Sequence, residues 1–92
     1  MSIHPNSQAA YVSSRELRER REAMILRCLR DHGPATDREV MRLLGFEDKG
    51  AVSPRITEML DPKDGRLAEV GSRFDSWTGK TVRLVAAAFS TY

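Results

Sequence analysis

Apolar residues in this chain fall into three stretches with helical spacing, followed by one with strand spacing. In "SSRELRERREAMILRCLRDHGP", Ser13 and Glu16 stand at capping-box spacing, while Gly33 and Pro34 close the far end. Leu17, Met24, Ile25, Cys28 and Leu29 recur there at three- and four-residue steps, which predicts a long helix with one inward stripe. Its first half, "RELRERRE", is charged nearly all round, with Glu16 spaced to pair with Arg20 and Arg18 with Glu22. A solvated extension is the first reading of that half. The second is a partner surface, with Leu17 inward and Arg15, Arg18 or Arg21 toward a second copy or DNA phosphates.

The stretch "ATDREVMRLLG" pairs Thr36 with Glu39 in another capping box and ends at Gly45, a residue suited to a left-handed stop. A helix of about two turns follows. Val40, Leu43 and Leu44 face inward, and Arg38 and Arg42 outward. In "DKGAVSPRITEML", Val52, Ile56, Met59 and Leu60 lie at i, i+4, i+7 and i+8, one helical face running through Pro54. Proline is cheap only in a first turn, so two starts fit: Ser53 as N-cap with Pro54 next, or a distorted turn beginning near Asp48 or Gly50.

Beyond residue 65 the period changes. Leu67 and Val70 precede a polar segment, after which Val82, Leu84 and Ala86 alternate with Thr81, Arg83 and Val85. Two strands joined around "FDSWTG" make a hairpin, with Gly79 supplying unusual turn angles. Residues 1–12 have no sustained period and are expected to form a flexible arm, and residues 87–92 a tail.

Composition narrows the function classes. At 92 residues there is room for one small core, which excludes a two-lobed enzyme. No apolar run approaches a membrane span, and "MSIHPNSQAAYVSS" lacks the basic and apolar regions of a signal peptide. The single cysteine, Cys28, reads as a structural thiol, and His32 as a cation suiting a helix C-terminus. No phosphate loop, nucleophile elbow or metal-ligand spacing is present in the sequence, so no enzyme activity, cofactor, metal or small-molecule substrate is expected. Fifteen basic against thirteen acidic residues give a net charge of +2. Nucleic-acid binding then requires the positive groups to share one face.

The order of a long helix, a capped short helix, a third helix and a hairpin, with the segments "TDREVMRLLG", "AVSPRITEML", "GRLAEVGSR" and "TGKTVRLV", resembles small winged helix-turn-helix proteins of bacterial viruses and prophages. The resemblance covers roughly residues 14–86. It implies an α+β winged helix-turn-helix domain over residues 13–86, in the cytoplasm of a bacterial or phage-infected cell. It further implies a transcriptional regulator binding double-stranded DNA.

On that reading the third helix, about 50–60, enters the major groove and the wing, about 72–83, meets backbone or minor groove. The residues expected at DNA are Arg38 and Arg42 on the second helix, Lys49, Ser53, Arg55 and Thr57 on the third, and Arg73, Lys80 and Arg83 on the wing. Ser76, Trp77 and Thr78 form the wing tip. Arg55 has two even readings, a guanine contact or an ion pair with Glu58. For Trp77, packing over the hairpin stem is favoured over contact with sugar, base or protein. Two copies would double the footprint of one module, making a homodimer the candidate assembly. The alternative reading is a winged-helix interaction module for a host transcription or replication protein, favoured by the low net charge, Glu58 and Trp77.

Overall fold

The computed structural model describes residues 14–88. The capping box expected at Ser13, the arm and the last four residues lie outside that range. Three helices, α1 (Ser14–His32), α2 (Asp37–Leu44) and α3 (Ser53–Leu60), precede a two-stranded antiparallel hairpin of β1 (Leu67–Asp75) and β2 (Lys80–Ala87). This is the winged helix-turn-helix architecture.

Local chemistry sets α2. Glu39 N–H donates to Thr36 Oγ1 (3.2 Å) and Thr36 N–H to Glu39 Oε1 (2.9 Å), a reciprocal cap that satisfies two end donors. Gly45 ends the helix at φ 82°, a backbone conformation that side chains with a Cβ rarely adopt. The start of α3 combines elements of both expected solutions. A 3₁₀ turn over Lys49–Ala51 begins at Asp48, whose carboxylate accepts from Gly50 N–H, and α3 follows with Pro54 in its first turn. Ser53 is therefore not a cap. The N-cap position is Val52, which offers no side-chain acceptor.

Val52, Ile56 and Met59 are fully buried, as their spacing predicts, and join Ile25, Leu29, Val40, Leu67 and Val85 in one core. Two inward faces differ from expectation. On α1, Ile25 and Leu29 are buried but Leu17 and Met24 are 45% and 41% exposed, and Glu22 is buried instead. Residues 14–20 are all exposed, so Leu17 is no part of the buried core. Glu22 tolerates burial because Arg66, from the loop before β1, donates to its Oε1 (3.0 Å) while also clasping Asp64. Burial of Glu22 next to Arg66 also means that the expected Arg18–Glu22 surface pair is superseded. On α2, Met41 is buried and Leu43 is half exposed, a rotation of the helix toward the core by one position.

The hairpin pairs Leu67 with Ala87 at its base and Asp75 with Lys80 at its tip, with one extra residue on β1 between Glu69 and Gly71. The inward residue of β2 is Val85, not Val82, Leu84 or Ala86. Ala35, between α1 and α2, exchanges both backbone hydrogen bonds with Val85 (2.9 Å each) and adds a third rung at the outer edge of β2. That bridge fixes the wing against the helices.

Candidate nucleic-acid interface

The face expected at DNA is built where the N-termini of α2 and α3 meet the wing. Strand alternation places Arg83 on the same side as the buried Val85, two residues away, and so directs it inward. Its guanidinium donates to Asp37 Oδ1 (3.1 Å) and Oδ2 (2.8 Å), to Ser53 O (3.4 Å) and to Thr57 Oγ1 (3.1 Å). Ser53 Oγ donates to the same Asp37 Oδ2 at 2.7 Å. One side chain from the wing thus joins both helices of the helix-turn-helix. The Asp37 carboxylate raises the Arg83 pKa against the opposing effect of burial, so the pair stays charged.

Three more of the arginines expected at DNA are also paired with carboxylates. Arg73 donates to Glu39 Oε2, the oxygen that the α2 cap leaves free. Arg38 lies 3.4 Å from Asp75 Oδ2, and Arg55 donates to Glu58 Oε2 at 2.9 Å. Of the two readings of Arg55, the structure therefore takes the ion pair. The Ser53 hydroxyl is hydrogen-bonded to Asp37, and Arg83 is turned toward both helices. Sequence spacing reveals only the Arg55 pair. The partners of Arg38, Arg73 and Arg83 lie 34–46 residues away or across the hairpin, where no periodicity connects them.

Among the described residues, Arg42, Lys49 and Lys80 have no carboxylate partner. Lys49 borders a depression of about 260 Å³ with Asp37, Arg38, Asp75, Val82 and Arg83. Pro54 and Thr57 are exposed on α3, on the side away from the buried Val52, Ile56 and Met59.

The wing tip corrects the favoured reading of Trp77. It does not fold over the hairpin stem. Its ring lies under the guanidiniums of Arg38 (5.9 Å to the centroid) and Arg42 (5.6 Å), and the residue is 73% exposed. The tip turn is closed by Gly79 N–H donating to Asp75 O (2.7 Å), with φ of 73° at Gly79 as the sequence predicts. Asp75 also accepts from Trp77 N–H and the Thr78 hydroxyl, both 3.1 Å. Ser76 lines a shallow depression with Arg42 and Phe74.

Desolvation opposes ionisation of Asp75, but the Trp77 amide, the Thr78 hydroxyl and Arg38 outweigh it and hold the carboxyl below its ordinary value of 3.8. A depressed folded-state pKa contributes stability above the unfolded value and loses it as pH falls through the lower folded value. Trp77 emission should therefore stay constant from neutral pH to about 4 and change only below that. Asp75→Asn should remove the acid transition. A midpoint at or above the ordinary carboxyl value would show that the turn does not depend on the ionised group.

The Cys28 thiol is half-buried and raised by that burial and by Asp31, which suits an inert structural side chain. Among the described residues there is no group of three metal-ligating side chains, and no helix is long and apolar enough to cross a membrane. Comparison of the chain with protein-family models, curated proteins and solved structures gives no match, so the assignment to a winged helix-turn-helix architecture stands on its topology and internal contacts.

Proposed function

We propose that the protein binds duplex DNA, with the N-terminal half of α3 directed at the major groove and the wing at the adjacent backbone. The observation that carries this reading is the placement of three cations without a carboxylate partner, Arg42, Lys49 and Lys80, on α2, at the entry to α3 and on the wing, together with the exposure of Pro54 and Thr57 on α3. Small or hydroxyl-bearing groups permit close approach to base edges and phosphates, and flanking cations supply the sequence-independent attraction. The likeness of its segments to small phage and prophage winged-helix proteins extends the proposal to transcription regulation in such a system.

The four paired arginines make the DNA contact an exchange. Asp37, Glu39, Glu58 and Asp75 already hold these guanidiniums, so an arginine reaches a phosphate only by leaving a carboxylate. Counterion release from three free cations gives a log–log salt slope of about −2.7, or roughly a 40-fold loss of affinity between about 50 and about 200 mM salt. Release of all seven cations would give a slope of about −6. Fluorescence anisotropy on a random duplex measures this directly. Absence of binding even at the lowest salt would remove the DNA reading.

The same four ion pairs favour a second reading, a protein-interaction module. A face neutralised by its own acids has little long-range attraction for a polyanion and suits a partner with mixed charge. Failure to bind duplex together with capture of a defined host transcription or replication protein would select it.

A further inference from the structure

The tip of the wing carries two large aromatic residues that the core does not use. Phe74 is 64% exposed and Trp77 73% exposed, against complete burial for the aliphatic core. Exposing two such rings on one hairpin forfeits burial worth about 1.5–3 kcal/mol for a large side chain, so they are poor choices for a merely solvated tip. Trp77 is nonetheless held in place. Arg38 and Arg42, four residues apart on α2, set their guanidiniums within 6 Å of its ring centroid, while its amide N–H is fixed to Asp75. A ring anchored on one side by cations and open elsewhere is a preorganised stacking surface.

Phe74 borders a depression of about 190 Å³ together with Arg38, Glu39, Arg42 and Arg73. Two aromatic rings therefore flank one arginine pair. Arg42, which contacts the Trp77 ring, has no carboxylate partner, and neither has Lys80 at the foot of the same turn. A ligand matched to this site is planar, to stack on the ring, and carries negative charge beside the plane, to meet Arg42 and Lys80. An aliphatic partner would desolvate Arg42 without compensating its charge.

We propose that the wing tip of Phe74, Trp77, Arg42 and Lys80 is a stacking site for an unpaired nucleotide, taking the base on the tryptophan and the phosphate on the two cations. Base pairs inside a duplex have both faces covered by their neighbours, so the nucleotide must come from a single strand, a duplex end or a flipped-out base. This site does not require α3 to enter a groove, and it stands or falls separately from the duplex reading.

Trp77 is the only tryptophan in the chain, which makes its emission a direct reporter. The full chain is titrated with a single-stranded thymidine oligomer of about ten nucleotides, with an abasic strand of equal length and charge, and with an acidic peptide containing an aromatic residue. The proposal expects quenching by the oligonucleotide and little by the abasic strand. Trp77→Ala should weaken oligonucleotide binding, read by anisotropy, about tenfold, and Trp77→Phe should retain most of the affinity. Trp77 being exposed, neither variant threatens the core. Equal binding of the abasic strand would reduce the site to a phosphate attractor and overturn the proposal. Quenching by the acidic peptide with none by the oligonucleotide would also overturn it and reassign the tip to a protein partner. Duplex affinity from the salt titration is a separate readout, so each reading can fail without the other.

Discussion

Ile56→Ala is expected to lower the unfolding free energy by about 2–5 kcal/mol, the largest effect of any single truncation in α3. Ile56 is fully buried, and its helix α3 packs on both α1 and β1. Small domains have about 5–15 kcal/mol in total, so the variant should sit close to its unfolding limit. For a domain of this size each kcal/mol corresponds to roughly 4–8 °C, which puts the expected fall in Tm at about 8–40 °C. Circular dichroism during thermal and urea unfolding measures it. A loss below about 1 kcal/mol would mean that α3 is held chiefly by its polar contacts and not by this stripe. Because the same residues orient Pro54 and Thr57 outward, partial unfolding should abolish duplex binding before secondary structure disappears.

Asp37→Ala should cost about 2–4 kcal/mol, through a different mechanism. Arg83 is left with a side chain only 27% exposed and no anionic partner, and the Ser53 hydroxyl loses its acceptor. Arg83→Met should be milder, since the Asp37 side chain keeps Ser53 as a donor. The double variant Asp37→Ala/Arg83→Met should regain about 1–2 kcal/mol relative to the sum of the two single losses, because residues in one hydrogen-bond network couple. Urea unfolding of the four proteins closes the cycle. A coupling energy under about 0.5 kcal/mol would reduce the contact to a surface ion pair of little consequence. Only Asp37→Ala frees Arg83 for a phosphate, so a steeper salt dependence of duplex binding should accompany its instability.

Much of the fold was legible because its signals are local. Thr36 and Glu39 cap α2 across three residues, Gly45 and Gly79 mark turns by their own backbone freedom, and Val52, Ile56 and Met59 show one clean stripe. Ambiguity arose where two apolar faces competed. On α1, Leu17 and Met24 have the same helical spacing as Ile25 and Leu29, and only the reach of the body decides that the former stay in solvent. On β2, Val82 and Leu84 alternate with Arg83 and Val85, so either face satisfies the strand pattern. The Ala35 bridge settles the choice, and nothing in its own sequence advertises a β partner 50 residues later.

The candidate site was legible by type more than by state. The positive residues are explicit in the sequence, but of the carboxylates that hold four of them only Glu58, three residues from Arg55, is legible there. Asp37 and Glu39 look like ordinary acidic residues in a helical first turn, where the dipole alone justifies them. That Asp37 also collects Arg83 and Ser53, and Glu39 also takes Arg73, depends on contacts formed only when the hairpin folds back on α2. Glu22 follows the same logic, since Arg66 is 44 positions away.

The extra residue in β1 gives the wing its parity. Between Glu69 and Gly71 the strand spends two positions against one on its partner, and successive side chains point to opposite sides. Val70 itself is half exposed and contributes little to the core. Were the ladder regular through Val70, every position from Gly71 to Asp75 would exchange sides, and Arg73 and Asp75 would be presented away from Glu39 and Arg38. The attachment of the wing to α2 is thus encoded in the register of the strand as much as in the chemistry of its residues.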